Sequence, residues 1–123
     1  MRKCQRGDPA SVTDSNQSSG RSGLQIEAGR EGDTYTIRLS GELDLGNSDL
    51  LDEALVEAEA TDASRVLLDV EELRFIDSTG LRVILRATRR AEWSGERLRL
   101  TRGRDYVADM FRLTALDRTL PFA

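Results

Sequence analysis

From residue 24 onward, apolar and polar side chains follow patterns that are typical of half-buried strands. Residues 24–28 alternate between the two classes, and residues 34–40 do the same after a short polar turn. This period of two predicts a pair of strands joined as a hairpin. Residues 66–70 are almost continuously apolar, which predicts a central strand that is covered on both faces. Alternation returns over residues 97–101 and predicts a further strand.

Three other segments place apolar side chains at helical spacing. They cover residues 48–60, 79–93 and 105–114, and each puts its apolar positions on one side of a helix. Gly95 follows the second segment and is a typical helix stop. Residues 116–122 are predicted to form a short edge strand, since the proline within them is compatible with an edge.

Strands and helices therefore alternate along most of the chain. This order predicts an α/β fold with a mixed sheet of four to five strands, three main helices and right-handed crossovers. Residues 1–23 are rich in Ser, Gly, Asp and Asn and hold few aliphatic side chains. Such a segment buries too little to offset its ordering entropy, so it is predicted to be a disordered tail. Residues 24–123 are predicted to form one domain.

Composition excludes several classes of chemistry. The 123-residue chain contains no histidine and one cysteine, Cys4. Without histidine there is no Ser-His-Asp or Cys-His mechanism, and the commonest general base near neutral pH is missing. A zinc site of the usual Cys/His kind and an internal disulfide are both impossible. We therefore expect a protein that is not an enzyme and carries no cofactor.

Charge and hydropathy narrow the set of partners. Residues 1–23 carry four basic and two acidic side chains, whereas residues 24–123 carry 14 basic and 20 acidic ones. A domain with a net charge of −6 should repel a phosphate backbone, so nucleic-acid binding is disfavoured. No apolar run reaches the 18 residues of a membrane span, and no secretory signal is recognisable. These observations predict a cytoplasmic protein without a membrane partner.

The most unusual segment is F-I-D-S-T-G-L at residues 75–81, which joins the central strand to the second helix. Ser78 or Thr79 is predicted to be the helix N-cap, and these residue types suit any such turn. Ile76 replaces the first glycine of a nucleophile elbow, and no P-loop pattern is present. An acid dyad would need Asp44 and Asp77 to meet, which the sequence does not show. A phosphate at Ser78, however, would lie at the positive end of a helix dipole.

Two motifs together resemble one family. D-S-T-G-L at residues 77–81 resembles the D-S-[ST]-G-[LIV] signature of the STAS family, in particular of its anti-sigma factor antagonists. G-E-L-D at residues 41–44 is similar to a second signature of that family, at the end of the second strand. The similarity covers residues 24–122, and the order of predicted elements agrees with it.

The resemblance implies a STAS fold and a mechanism. Antagonists of this type bind an anti-sigma factor that is usually also a GHKL-type serine kinase, and they are inactivated when that kinase phosphorylates a serine. The matching serine is Ser78, and a PP2C-type phosphatase would restore the active form. ATP and Mg²⁺ would be bound by the kinase. The positions expected to contact the partner are Asp44, Asp77, Thr79, Gly80 and Arg82. A non-phosphorylated STAS scaffold or sensor module in a larger signalling complex is the alternative.

The second predicted helix also carries a run of arginines. Arg82 and Arg86 are followed by Arg89 and Arg90, so that three of these side chains share one face of the helix. A solvated face explains this spacing. The alternative is a rim contact to an acidic partner, with Arg82 near a phosphate on Ser78.

Overall fold

The structure, a computed structural model, describes residues 23–123, so the predicted tail lies outside it except for Gly23. Four strands form one sheet in the order β1-β2-β3-β4. They are β1 (Leu24–Glu31), β2 (Thr34–Leu43), β3 (Arg65–Ile76) and β4 (Leu98–Leu100). Strand β1 is antiparallel to β2, and β2, β3 and β4 are mutually parallel. The predicted mixed sheet and its hairpin are confirmed.

Three α-helices connect or follow these strands. They are α1 (Ser48–Glu59), α2 (Ser78–Trp93) and α3 (Asp105–Leu113). Helices α1 and α2 follow parallel strands of one sheet, so both begin at the carboxyl edge of the sheet and run side by side. That edge therefore brings together the β2–α1 loop and the turn from β3 to α2.

The core lies between the sheet and the α1–α2 layer. The strand side chains in this core come mainly from β2 and β3. In both strands every second side chain points toward the helices and most of these are apolar. All of the following are at most 1 % exposed: Ile37, Leu39, Leu43, Leu51, Leu55, Leu68, Ile76, Ile84 and Leu100. The prediction that β3 is central is confirmed, since it pairs with β2 on one side and β4 on the other.

Strand β3 is longer than the sequence pattern predicted. The pattern predicted a central strand over residues 66–70, but β3 pairs with β2 as far as Ile76, across two register shifts. Beyond Leu100, β3 has no strand neighbour on its other side. The hydroxyl of Thr101 there accepts from the amide of Val70 at 2.8 Å, and the Arg104 guanidinium donates to the Glu71 carbonyl at 3.1 Å. These two contacts provide hydrogen-bond partners for one amide and one carbonyl of the free edge, just before α3 begins.

The predicted edge strand at residues 116–122 is wrong. Leu116–Arg118 form a 3-10 helix, and only Phe122 makes an isolated parallel bridge, to Leu100. The reason is local, because the amides of Thr119 and Leu120 both donate to the Leu116 carbonyl. Those groups are therefore not available for a ladder along β4.

A charged clamp joins α1 to α2. The Arg90 guanidinium donates from Nε to Glu59 Oε1 at 2.9 Å and from an amino group to Glu59 Oε2 at 2.9 Å. Hydrogen bonding to Glu59 raises the pKa of Arg90 above its ordinary value. The clamp fixes the C-terminal halves of the two helices relative to each other, as paired charge-assisted bonds do.

Truncation of α1 side chains tests where this core lies. We expect Leu55→Ala to lower the free energy of unfolding by about 3 kcal/mol, since it removes a fully buried side chain and leaves a cavity. The matched control is Val56→Ala, whose native side chain is half exposed, and there we expect about 0.5 kcal/mol or less. Urea unfolding followed by circular dichroism measures both. Equal losses would contradict the assignment of the α1 inner face.

Candidate functional site

The turn between β3 and α2 is organised by Asp77. Its backbone is extended, with φ −107° and ψ −177°, and its Oδ1 accepts from the amide of Gly80 at 3.0 Å. This is the N-cap arrangement that satisfies one unpaired amide of the first helical turn. The prediction that Ser78 or Thr79 is the N-cap is therefore wrong by at least one residue. Ser78 is instead the first residue of the helix.

The second carboxylate oxygen of Asp77 reaches the neighbouring loop. Oδ2 accepts from the amide of Leu45 at 3.1 Å, and the Asp77 amide itself donates to the Leu43 carbonyl at 3.2 Å. One side chain thus ties the β2–α1 loop to the start of α2. Since both oxygens bind backbone amides, the geometry gives Asp77 a structural task, in addition to any contact with a partner.

The β2–α1 loop is also held from within. Asp44 accepts from the amide of Gly46 at 3.0 Å, and its own amide donates to Asn47 Oδ1 at 2.9 Å. The Asn47 side chain is fully buried and donates to the Glu42 carbonyl at 3.0 Å. The sequence analysis did not identify this role of Asn47. The signal available was an amide side chain three residues after Asp44.

Gly41, which begins the G-E-L-D motif, is required by a close approach of two chain segments. Its φ is +96°, and a Cβ there would lie 2.1 Å from the carbonyl oxygen of Gly23. The next amide, that of Glu42, donates to the same carbonyl at 3.0 Å. A residue with a side chain would be excluded both by the dihedral angle and by this contact.

Gly80, predicted as a partner contact, is buried beneath the start of α2. A Cβ there would lie 2.8 Å from two atoms of the Leu43 side chain and 3.0 Å from Ile76 Cγ1. Its absence of a side chain lets α2 approach the ends of β2 and β3. Gly80 therefore determines how closely the start of α2 packs on the strand ends, and it presents no side chain to the surface.

The surface above Gly80 and the Asp77 hydrogen bonds carries two hydroxyl side chains, one apolar side chain and two charged ones. Ser78 is exposed, Thr79 and Asp44 are half-buried, and Arg82 is exposed one turn further along α2. Leu45 is 75 % exposed, although its amide is fixed by Asp77. The sequence analysis did not identify Leu45, since its hydrophobicity alone predicts burial and only the loop geometry turns it outward.

Within residues 23–123, no group of three or more His, Cys, Asp or Glu side chains could hold a metal ion. Asp44 and Asp77, the pair that an acid dyad would need, each accept a hydrogen bond from a backbone amide. Nor is any helix of this part of the chain long and apolar enough to cross a membrane.

A separate cleft of about 430 Å³ lies at the far end of α2. It is formed by the C-terminal half of that helix, by β4 and by the segment that follows the 3-10 helix. The lining includes Glu92, Arg99, Arg102, Asp117 and Phe122. Ser78 stands at the opposite end of the helix, so this cleft is not part of the surface described above.

This fold, with these two motifs at one edge of the sheet, defines a family of protein domains. Residues 26–121 match the family described as "Mlab, STAS domain". The chain belongs to the STAS domain family.

Individual relatives are similar to this chain in sequence or in fold. A curated protein of Paenibacillus polymyxa, called "Anti-sigma F factor antagonist", is 40 % identical over 63 residues. The alignment spans 50 % of this chain and about half, 54 %, of that relative. An anti-sigma factor antagonist from Mycobacterium paratuberculosis superimposes with a TM-score of 0.70 at 20 % identity, over 80 % of this chain and 84 % of that one. Unphosphorylated SpoIIAA gives 0.67 at 24 % identity, over 80 % and 88 %.

The support beneath Ser78 is tested by adding a methyl group at Gly80. Replacing a helical glycine by alanine normally stabilises a helix by about 1 kcal/mol, but here we expect Gly80→Ala to destabilise by about 1–3 kcal/mol because of overpacking against Leu43. Gly29→Ala is the control, since nothing lies within 4 Å of a Cβ there. Urea unfolding measures both. Combining Gly80→Ala with Leu43→Ala should remove most of the penalty, and additive losses would refute the contact.

The double role of Asp77 is tested by Asp77→Ala. We expect a loss of about 1–2 kcal/mol in stability, as for removal of an N-cap, and faster amide hydrogen exchange at both Gly80 and Leu45. Asp77→Asn retains one acceptor oxygen and should protect only one of the two amides. NMR-detected exchange distinguishes them. Faster exchange at Gly80 alone would show that the loop is held by other contacts.

Proposed function

We propose that this protein is an anti-sigma factor antagonist. It binds an anti-sigma factor with GHKL-type serine kinase activity, and it is released when that kinase phosphorylates Ser78. A PP2C-type phosphatase returns it to the binding form, and ATP and Mg²⁺ are bound by the kinase. In this way the chain regulates sigma-factor-dependent transcription by protein binding, with no reaction of its own.

The observation that carries the proposal is the exposure of Ser78 on a rigid support. The residue is the first of α2, and both flanks are held, by the Asp77 hydrogen bonds and by the buried Gly80. A kinase needs a hydroxyl that it can reach, and a partner needs a surface that keeps its shape. The motif match and the name of the Paenibacillus relative support the same assignment.

Asp44, Leu45, Thr79 and Arg82 form the surface around Ser78 that we assign to the partner. Leu45 supplies an exposed apolar side chain, which is the kind of group that fills a pocket at the centre of an interface. Asp44 and Arg82 supply charges of opposite sign, which favour one orientation of the partner. Asp77 and Gly80 hold this surface in place from within.

Phosphorylation changes this surface mainly through charge. A phosphate on Ser78 adds about −1.5 to −2 charges next to Asp77 and Asp44. The amides at the start of α2 favour an anion, so the fold tolerates the group. A partner that placed a carboxylate or an apolar group there would be repelled. Moving a complex from mostly bound to mostly free takes about 5.5 kcal/mol. Each lost charge-assisted hydrogen bond contributes about 1.5–3 kcal/mol to this change, and the repulsion supplies the rest.

A second candidate function is a non-phosphorylated STAS scaffold or sensor module in a larger complex. The cleft of about 430 Å³ at the far end of α2 favours it, because a sensor requires a concave site for a small ligand. The two functions differ in whether Ser78 is modified, so one assay separates them.

The test combines phosphate mapping with binding. The protein is incubated with candidate anti-sigma kinases and Mg²⁺-ATP, and modified residues are identified by mass spectrometry. We expect one phosphate, on Ser78, and at least a hundredfold weaker kinase binding by calorimetry afterwards, which corresponds to about 2.7 kcal/mol. Ser78→Ala should bind but accept no phosphate, while Thr79→Ala should still be modified. Tight binding without phosphate transfer would instead favour the scaffold.

A further inference from the structure

The cleft at the far end of α2 is lined by apolar, basic and acidic side chains. The apolar part of the lining is largely buried, with Ala91 of α2, Leu98 of β4 and Leu120 each at most 9 % exposed. The volume of about 430 Å³ falls in the range of about 300–1,000 Å³ that is usual for small-molecule sites. A cleft of this size and lining suits a small organic molecule with an apolar body.

Arg99 supplies a positive charge that is held in place at this cleft. The side chain is half-buried, and one terminal nitrogen donates to the carbonyls of Glu96 at 3.0 Å and of Leu98 at 2.8 Å. The other guanidinium nitrogens have no hydrogen-bond partner among residues 23–123. A guanidinium fixed in this way binds a carboxylate with little further loss of side-chain entropy.

Arg102 and Phe122 form a second fixed part of the lining. The guanidinium carbon of Arg102 lies 4.7 Å from the centroid of the Phe122 ring, which is within cation–π distance. The position of Phe122 is itself fixed, because its ring packs edge-on against Phe111 and its backbone bridges to Leu100. The pair therefore places an aromatic surface and a positive charge side by side in the cleft.

Three carboxylates line the same cleft. Glu92 and Glu96 are exposed, whereas Asp117 on the 3-10 helix is half-buried. Among the residues that the structure describes, none of these three side chains forms an ion pair with Arg99 or Arg102. Charges of both signs therefore line one cleft without pairing with each other, and a ligand that carries both signs would bridge them.

We propose that this cleft binds a zwitterionic amino acid with a large apolar side chain. The ligand carboxylate accepts hydrogen bonds from Arg99 and Arg102. The ligand ammonium group donates to the acidic side chains, of which Asp117 is the least exposed. The ligand side chain covers Phe122 and Leu98, so that apolar surface is removed from water while both charged ends of the ligand keep partners.

Ligands of other charge types match this lining less well. Two guanidinium groups and three carboxylates give the lining a net charge of −1, so a polyphosphate would be repelled. A purely apolar molecule would shield the charged side chains from water without offering them a partner. A molecule with one charge of each sign and an apolar body avoids both costs.

The ligand site is separate from the surface around Ser78. That residue begins α2, whereas the cleft is formed by the C-terminal half of the same helix. A helix of 16 residues is about 24 Å long, so an amino acid in the cleft does not cover Ser78. The proposal therefore holds for either of the two functions proposed above, and its test needs no kinase.

NMR titration of the isotope-labelled full chain with L-tryptophan, L-phenylalanine and L-leucine tests the proposal. We expect saturable shifts of the amides of Leu98, Arg99 and Phe122. For tryptophan we expect a Kd of about 0.5 mM, the value for a ligand of about 15 non-hydrogen atoms at ordinary efficiency. Tryptamine lacks the carboxylate and indole-3-propionate lacks the ammonium group, so each should bind at least about fivefold more weakly. These comparisons use the unaltered protein, so a folding defect cannot produce them.

Two variants assign the charged ends of the ligand. Arg99→Gln should weaken tryptophan binding about fivefold or more without weakening tryptamine, and Asp117→Asn should weaken tryptophan without weakening indole-3-propionate. Arg118→Gln, the same charge change as Arg99→Gln at an exposed site outside the cleft lining, is the control and should leave Kd unchanged.

Three results would overturn the proposal. The first is the absence of saturable shifts at the cleft with all three amino acids up to about 10 mM. The second is binding of tryptamine or indole-3-propionate as tight as that of tryptophan, which would show that one charged end has no partner. The third is a Kd for tryptophan that Arg99→Gln leaves unchanged.

Discussion

The carboxylate of Asp77 connects the parts of the molecule on which the candidate site depends. One oxygen caps α2 through Gly80 and the other holds the β2–α1 loop through Leu45. Both bonds join a charged acceptor to a backbone amide, and such bonds are stronger than neutral ones. Without them the hydroxyl of Ser78 would stand between a frayed helix end and a loose loop. The placement of Leu45 and Ser78 on one surface depends on this side chain, while Asn47 holds Asp44 from within the loop.

The same edge of the sheet shows how packing and recognition share residues. Gly41 lets the backbone at Gly23 approach β2 closely. Gly80 lets α2 approach the ends of β2 and β3, where Leu43 and Ile76 pack beneath it. Neither glycine presents a side chain outward. Their place in the family motifs is therefore explained by packing, and the neighbouring exposed residues are left to bind a partner.

Sequence reasoning established the elements, their order and the location of the two motifs. The spacing of apolar residues was sufficient to predict β1, β2 and the three helices, because those elements bury one face and expose the other. They were not sufficient for residues 73–75 of β3, where register shifts interrupt the alternation. Residues 116–122 also failed, since an apolar segment with local hydrogen bonds resembles a strand in pattern alone.

For the site, the sequence by itself determined which residues are chemically able to act: Ser78 with its hydroxyl, Asp44 and Asp77 with their carboxylates, and the arginines of α2. Only the tertiary structure decided which of them face outward. Gly80 and Asn47 lie in the interior, whereas Leu45 and Trp93 are exposed. Arg90 forms an ion pair with Glu59. Within the described residues, Arg82, Arg86 and Arg89 have no carboxylate within ion-pair distance. The physical reason is that identity and spacing set a side chain's chemistry and its face on an element, whereas exposure and pairing depend on elements distant in sequence that pack against it.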